Sequence, residues 1–243
     1  MHPAWDATTE DNRISSPPEA EPQGNLQSRT DIDAGGILAL AIPAIVLFAG
    51  FMWLGFHVRL HGEPPAMWAF AHAVRGHAVG LAWALTNVGY AYVLAPLYAF
   101  CIVIAIVSPR WRMPALFVIA VALICWGAAD GFQHYFARPR RDDWIIRHEH
   151  AFSYPSSHAA ISTGFYFLWG LVLLRSSLGA WLRWTAFVLL TLLTLGIIWS
   201  RLALGAHYPT DVVGGAVLGA VVVLLAAALL RTAGRRAFGG HAP

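Results

Sequence analysis

Apolar residues in this chain fall in long unbroken runs separated by short polar clusters, the pattern of helices surrounded by lipid. A run of about 20 apolar residues crosses a hydrocarbon core. Gly35 to about Phe56 carries no charge and predicts a first span. Arg59 to His77 is mixed. His57, Arg59, His61, Glu63, Pro64 and Pro65 precede Met67, Trp68, Phe70, Ala71 and Val74 at helical spacing, which predicts a short amphipathic helix lying at the interface. Ala78 to Val107 is apolar throughout, and Asn87 and Gly89 place the start of a second span in the middle eighties. A basic turn, Ser108 to Arg112, leads to a third span from about Met113 to Asp130. Ser156–Leu174, Trp181–Trp199 and Thr210–Leu230 predict spans four to six, with Arg175 to Arg183 as the turn between four and five. The fold class that follows is an all-α integral membrane protein with six transmembrane helices and one interfacial helix.

Residues 1–34 differ from the rest. They hold seven of the 13 acidic residues and almost no large apolar groups, so they predict a disordered acidic tail. The tail lacks the basic start and apolar run of a signal peptide. The membrane domain is expected over 35–233, and 234–243 as a short cytoplasmic tail. An even number of spans puts both termini on one side, and that side collects nine arginines against three on the other when those of the polar motifs are set aside. The positive-inside rule then places the termini in the cytoplasm and the motif face outside, in a cell (inner) membrane.

Composition agrees: 58% of residues are hydrophobic and 12% charged, whereas soluble domains carry about 25% charged residues. All 16 basic residues are arginine. A pI near 9.1 would suit nucleic acid, but no basic run accompanies a nucleic-acid module, and none is expected as a partner. Cys101 and Cys125 lie in apolar stretches without metal or disulfide spacing and are read as packing residues.

Three polar clusters carry the candidate chemistry: Arg138-Pro139-Arg140-Arg141 after span three, Tyr154-Pro155-Ser156-Ser157-His158 opening span four, and Ser200-Arg201 with His207 and Asp211 around the start of span six. The 42 residues between His158 and Arg201 allow one helix down and one back at about 1.5 Å per residue, so the clusters meet at one membrane face. Converging guanidinium groups, serine hydroxyls and a helix N-terminus suit a tetrahedral oxyanion. His207 and Asp211 stand four apart and share a helix face, so Asp211 can orient the imidazole as a nucleophile. His158 can serve as general acid.

These residues resemble the type-2 phosphatidic acid phosphatases, a family that shares its core with vanadium haloperoxidases and glucose 6-phosphatase. The family's third signature is matched in full by Ser200, Arg201, His207 and Asp211, and the second by Pro155, Ser156 and His158, with Ser157 in place of glycine. The first signature, a lysine followed after six residues by Arg-Pro, is matched only in part. With Arg140 as its arginine the lysine position holds Gln133; with Arg138 it holds Gly131. The resemblance implies metal-independent hydrolysis of a lipid phosphate or pyrophosphate of the undecaprenyl, phosphatidylglycerophosphate or phosphatidic acid type, without a cofactor. His207 would form a phosphohistidine, Asp211 would orient it and His158 would protonate the leaving group. Arg140, Arg201, Ser156, Ser157 and Arg138 would bind the phosphate.

Two alternatives stay open: a lipid phosphotransferase, and a lipid-phosphate binder or transporter that lost turnover with the lysine. Outside the motifs, His57, His61, His72 and His77 are read as solvated interfacial residues. Asp142, Asp143 and Glu149 are read as ion-pair partners, and Asp130 as a cap or a partner of arginine.

Overall fold

A computed structural model describes residues 34–146 and 151–238; the acidic tail expected before them, the segment holding Glu149, and the last five residues lie outside the described residues. The described chain is all-helical: α1 (Ala34–His61), α2 (Pro65–Val74), α3 (Val79–Val88), α4 (Ala91–Val107), α5 (Pro109–Phe136), α6 (Ser157–Leu174), α7 (Ala180–Ala203) and α8 (Pro209–Phe238). Five of these are long and apolar enough to cross a bilayer, and α3 with α4 makes a sixth as a pair bent by 44°. This is a multi-pass membrane protein. Its surface agrees, since Trp53, Phe100, Ile106, Trp126, Trp181 and Leu189 are exposed along the spans.

A short helix stands where the interfacial one was expected, as α2, opened by Pro65 in the first turn, where proline is tolerated. Three boundaries differ from the sequence reading. The second span does not begin in the middle eighties: α3 and α4 are separate helices broken at Gly89–Tyr90, where Tyr90 takes extended backbone (φ −85°, ψ 155°), and a Cβ on Gly89 would lie 2.5 Å from the His158 ring. The basic turn before α5 contracts to Ser108, since Pro109 already occupies the first helical turn. The last helix runs past the expected span into 234–238, passing through Gly234 although glycine is a poor helix former.

The spans are held by close backbone approach. In lipid no water drives helices together, so small residues that admit tight packing carry the association. Along α8, Gly214, Gly215 and Gly219 face Tyr154, the Ser156 carbonyl and Thr163; any Cβ there would fall within 3 Å of these atoms. α8 is thereby pressed onto α6, the most buried of the spans. α1 runs antiparallel to α8, and Arg231 donates to the Gly36 carbonyl at 2.8 Å. Gly55 on α1 admits Phe136 and Tyr154, and Tyr154 donates to the Phe51 carbonyl at 2.7 Å. Within α6, residues 163–167 form a π-turn beside the hydroxyl bonds Ser162 to His158 O and Thr163 to Ala159 O, an irregularity common at functional sites.

Candidate active site

The C-terminal ends of α5 and α7 and the N-terminal ends of α6 and α8 converge, so the three polar clusters do share one face. Ala137, in left-handed backbone (φ 47°), ends α5 and turns the chain into the segment 138–146. That segment is pinned to the α7–α8 link. Ile145 N–H donates to Leu204 O at 3.0 Å, and Arg75 donates to Asp143 O at 2.6 Å and 2.9 Å. Gly205 (φ 73°) passes beneath this contact, where a Cβ would meet Asp143 O at 2.6 Å. Asp143 also accepts both arms of Arg141 at 2.7 and 2.6 Å. The Arg141 hydrogen bonds outweigh burial and, with the charges of Arg141 and Arg75, hold the Asp143 carboxyl below its ordinary value. The ion-pair reading of Asp143 thus holds. Asp130 differs: among the described residues its carboxylate lies nearest His134, at 3.8 Å and one turn on along α5, and not beside an arginine.

His207 is fully buried between two charges. Its Nδ1 stands 3.3 Å from Asp211 Oδ2, and its Nε2 stands 3.1 Å from Arg140 Nη1. A guanidinium can only donate, so Nε2 accepts and the ring proton sits on Nδ1, facing the carboxylate. This tautomer puts the ring lone pair on Nε2, the nitrogen that would act as nucleophile, where it accepts from Arg140. Asp211 is saturated: Oδ1 accepts from Arg138 at 2.5 Å, while Oδ2 also accepts from Ser153 and from the Tyr208 N–H at 2.9 Å. Its carbonyl takes the Ser156 N–H at 2.9 Å, tying α8 to the start of α6.

The two arginines of the first cluster separate clearly. Arg140 reaches His207 Nε2 and lines a cavity together with Ser157 and His158. Arg138 lies behind Asp211, bonded to Asp211 and, at 2.8 Å, to Glu63, with its guanidinium 4.1 Å from the Tyr208 ring centre. Burial alone would lower the Arg138 guanidinium, but Asp211 and Glu63 outweigh it and hold it above its ordinary value. Arg201 is fully buried, donates to Thr86 at 2.7 Å and sits 4.8 Å from the Trp144 ring centre. Gln133, at the lysine position for Arg140, spends its amide on the Pro155 carbonyl at 2.8 Å and so braces the serine turn. Ser156 Oγ and Trp144 Nε1 are buried with no hydrogen-bond partner among the described residues.

The cavity, about 620 Å³, lies among the α3–α4 break, α5 and α6. One end is polar, with Arg140, Gln133, Ser157 and His158; the other is apolar, with Leu94, Tyr98, Leu123, Trp126 and Ile161. Leu123 and Trp126 are themselves exposed, so the apolar end opens on the lipid-facing flank. His158 stands at the junction, its ring edge-on to Tyr90 at 4.6 Å. Tyr98 meets Phe165 at 5.0 Å across the floor. Beyond that pair lies a second, apolar cavity of about 530 Å³, lined by Leu97, Ile104 and Trp169 among others.

Sequence reasoning missed Glu63, Ser153, Thr86 and Trp144. Of these only Glu63 carried a signal, as the single carboxylate between residues 34 and 129, and its polar surroundings made it read as interfacial.

No curated protein matches this sequence. The crystal structure of a transmembrane PAP2-type phosphatidylglycerolphosphate phosphatase from Bacillus subtilis superposes with a TM-score of 0.64 at 19% identity, over 76% of this chain and 94% of that one. At that identity the likeness speaks for the fold. A family model described as the PAP2 superfamily matches residues 111–235, just over half the chain, and those residues include the three clusters gathered around His207. With fold, motif order and family model in agreement, the chain belongs to the PAP2 superfamily, that of the type-2 phosphatidic acid phosphatases.

Proposed function

We propose that this protein is a metal-independent lipid phosphatase acting through a phosphohistidine. The observation that carries the reading is the cavity that joins Arg140, Ser157 and His158 to an apolar end open to lipid, with His207 bonded to Arg140 at its polar limit. A phosphate at that end suits the arginine fork and the first N–H groups of α6, which have no acceptors within their helix. Ser156 Oγ, buried and without a partner among the described residues, is a further donor for it. The hydrocarbon of the lipid occupies the apolar end.

His207 Nε2 forms a bond to phosphorus as the bond from phosphorus to the lipid oxygen breaks, and His158 delivers the proton that oxygen needs. Asp211 holds the Nδ1 proton and offsets the positive charge growing on the ring. Water then attacks phosphorus, the N–P bond breaks, His158 takes the water proton, and inorganic phosphate leaves. In this assignment Arg140 and Arg201 hold the phosphate, and Arg138 acts through Asp211 instead of on the substrate. The active face is extracytoplasmic by the arginine distribution, and the substrate is drawn from the lipid phosphates and pyrophosphates.

Purified protein is expected to release phosphate from lipid phosphates in EDTA, and His207→Ala to abolish release. Retained turnover in that variant rules out the mechanism. Phosphate recovered on an added lipid acceptor, instead of free, favours phosphotransfer.

A further inference from the structure

The proposed mechanism uses His207 and Asp211, yet the charge network behind them does not stop there. Glu63 sits in the short link between α1 and α2, after Gly62 (φ 75°), and its side chain is only 3% exposed. A carboxylate so buried is costly unless paired and fully hydrogen-bonded. Glu63 is both. Oε2 accepts from Arg138 Nη2 at 2.8 Å and from the Thr210 hydroxyl; Oε1 accepts the Thr210 N–H at 3.2 Å. Thr210 Oγ1 in turn accepts from Arg138 Nη1 at 2.8 Å. Thr210 lies in the first turn of α8, so its N–H has no acceptor within the helix, and the carboxylate meets the positive end of the helix dipole.

Resting on the phosphohistidine reading, we propose that Glu63 is a positioning residue for the nucleophile, the outermost member of a chain Glu63–Arg138–Asp211–His207. The reason is charge. Arg138 alone would neutralise Asp211, leaving little negative field at Nδ1 when Nε2 bonds to phosphorus and the imidazole turns positive. With Glu63 on the other arm, two carboxylates share one guanidinium and the group keeps one net negative charge beside the ring. Glu63 also fixes Arg138 in orientation. Each of its terminal nitrogens is committed, one to Glu63 and the other to Thr210 and Asp211, so Asp211 Oδ2 stays free for Ser153, Tyr208 N–H and His207. The link between the first span and the interfacial helix thus completes the site, although it lies outside all three motifs and outside the matched residues 111–235.

The test uses full-length protein in detergent micelles with dioctanoyl phosphatidic acid and EDTA, and corrects rates for folded enzyme by thermal melting. Hydrogen-bonded partners behind metal ligands typically cost about 10- to 100-fold when lost, and by analogy the charge that Glu63 adds behind Arg138 and Asp211 is taken at that size. Glu63→Gln is expected to lower kcat by that factor with KM within about threefold, and Glu63→Asp to recover part of the loss. A purely structural Glu63 would change the yield and the melting temperature and leave kcat per folded molecule alone; that result overturns the proposal. If Glu63→Gln does not fold, Thr210→Val removes the hydroxyl that bridges Glu63 and Arg138 beside their direct bond and so loosens the hold of Glu63 on Arg138. It is expected to reduce kcat severalfold, and an unchanged kcat overturns the proposal equally. His207→Ala separates the two levels. If it keeps wild-type turnover, the phosphohistidine reading itself falls. If it is inactive while Glu63→Gln is unimpaired, only the role of Glu63 falls.

Discussion

Gly215→Ala adds one methyl group, and the structure says where it goes. The new Cβ would stand 2.3 Å from the Ser156 carbonyl oxygen and 2.9 Å from Ala159 Cβ. Ordinary contact begins at 3.4 Å, so α8 must retreat from α6 by about 1 Å. Neither obstacle is a flexible side-chain tip that can swing away. The retreat falls across the site: Asp211 lies one turn before Gly215, and its carbonyl holds the Ser156 N–H at 2.9 Å. Separating the helices therefore pulls His207 and Asp211 on one side from Ser156, Ser157 and His158 on the other. A misplacement of about 1 Å can cost about 100-fold in rate, and overpacking typically costs about 1–3 kcal/mol in stability. Phosphate release in micelles with a parallel thermal melt measures both. Gly127→Ala is the control, because a Cβ there meets nothing within 4 Å; it is expected to leave rate and melting temperature nearly unchanged. A Gly215→Ala protein with wild-type kcat would refute the claim that the α6–α8 contact sets the catalytic geometry.

Asp211→Asn must turn an amide NH₂ toward Arg138 or toward Ser153, Tyr208 N–H and His207, so donors face each other either way. By analogy with triad carboxylates kcat should fall about 10⁴-fold, and a loss under tenfold contradicts the tautomer assignment. Asp143 has its carboxyl lowered by Arg141 and Arg75, so its contribution is complete above pH about 4 and lost as pH falls through its depressed value. The melting-temperature gap between wild type and Asp143→Asn should be largest at neutral pH and close in acid; a gap that widens in acid reverses the sign. Tyr98→Ala removes the ring that meets Phe165 across the cavity floor and joins the two cavities. The rate ratio of long-chain to dioctanoyl substrates should rise, and an unchanged ratio removes the tail from that cavity.

Much of the site was legible because its residues are chemically out of place. Arginine, histidine and aspartate at the ends of apolar runs are expensive in a membrane and stand out, and helix parity alone brings Arg140, His158 and His207 to one face. The choice between Arg138 and Arg140 was not legible. The two stand two residues apart with the same side chain, and only the left-handed turn at Ala137 and the placement of Asp211 give one to the carboxylates and the other to the nucleophile. Gln133 stands at the lysine position in sequence; that its amide reaches the Pro155 carbonyl depends on how α5 and the start of α6 are apposed.

The sequence by itself determined the environment, five of the long apolar helices and the end of the bundle that holds the chemistry. Those follow from local quantities, namely run length, the cost of charge in hydrocarbon and 1.5 Å of rise per residue. Tertiary structure decided everything that depends on contact between distant segments. Glu63 and Thr210 are 147 residues apart, and Arg201 and Thr86 are 115 apart. Gly89 leaves room for the His158 ring, and Gly215 lets α8 reach Ser156. Such pairings leave no periodic trace along the chain, since a residue's partner is fixed by how helices cross and not by its neighbours in sequence.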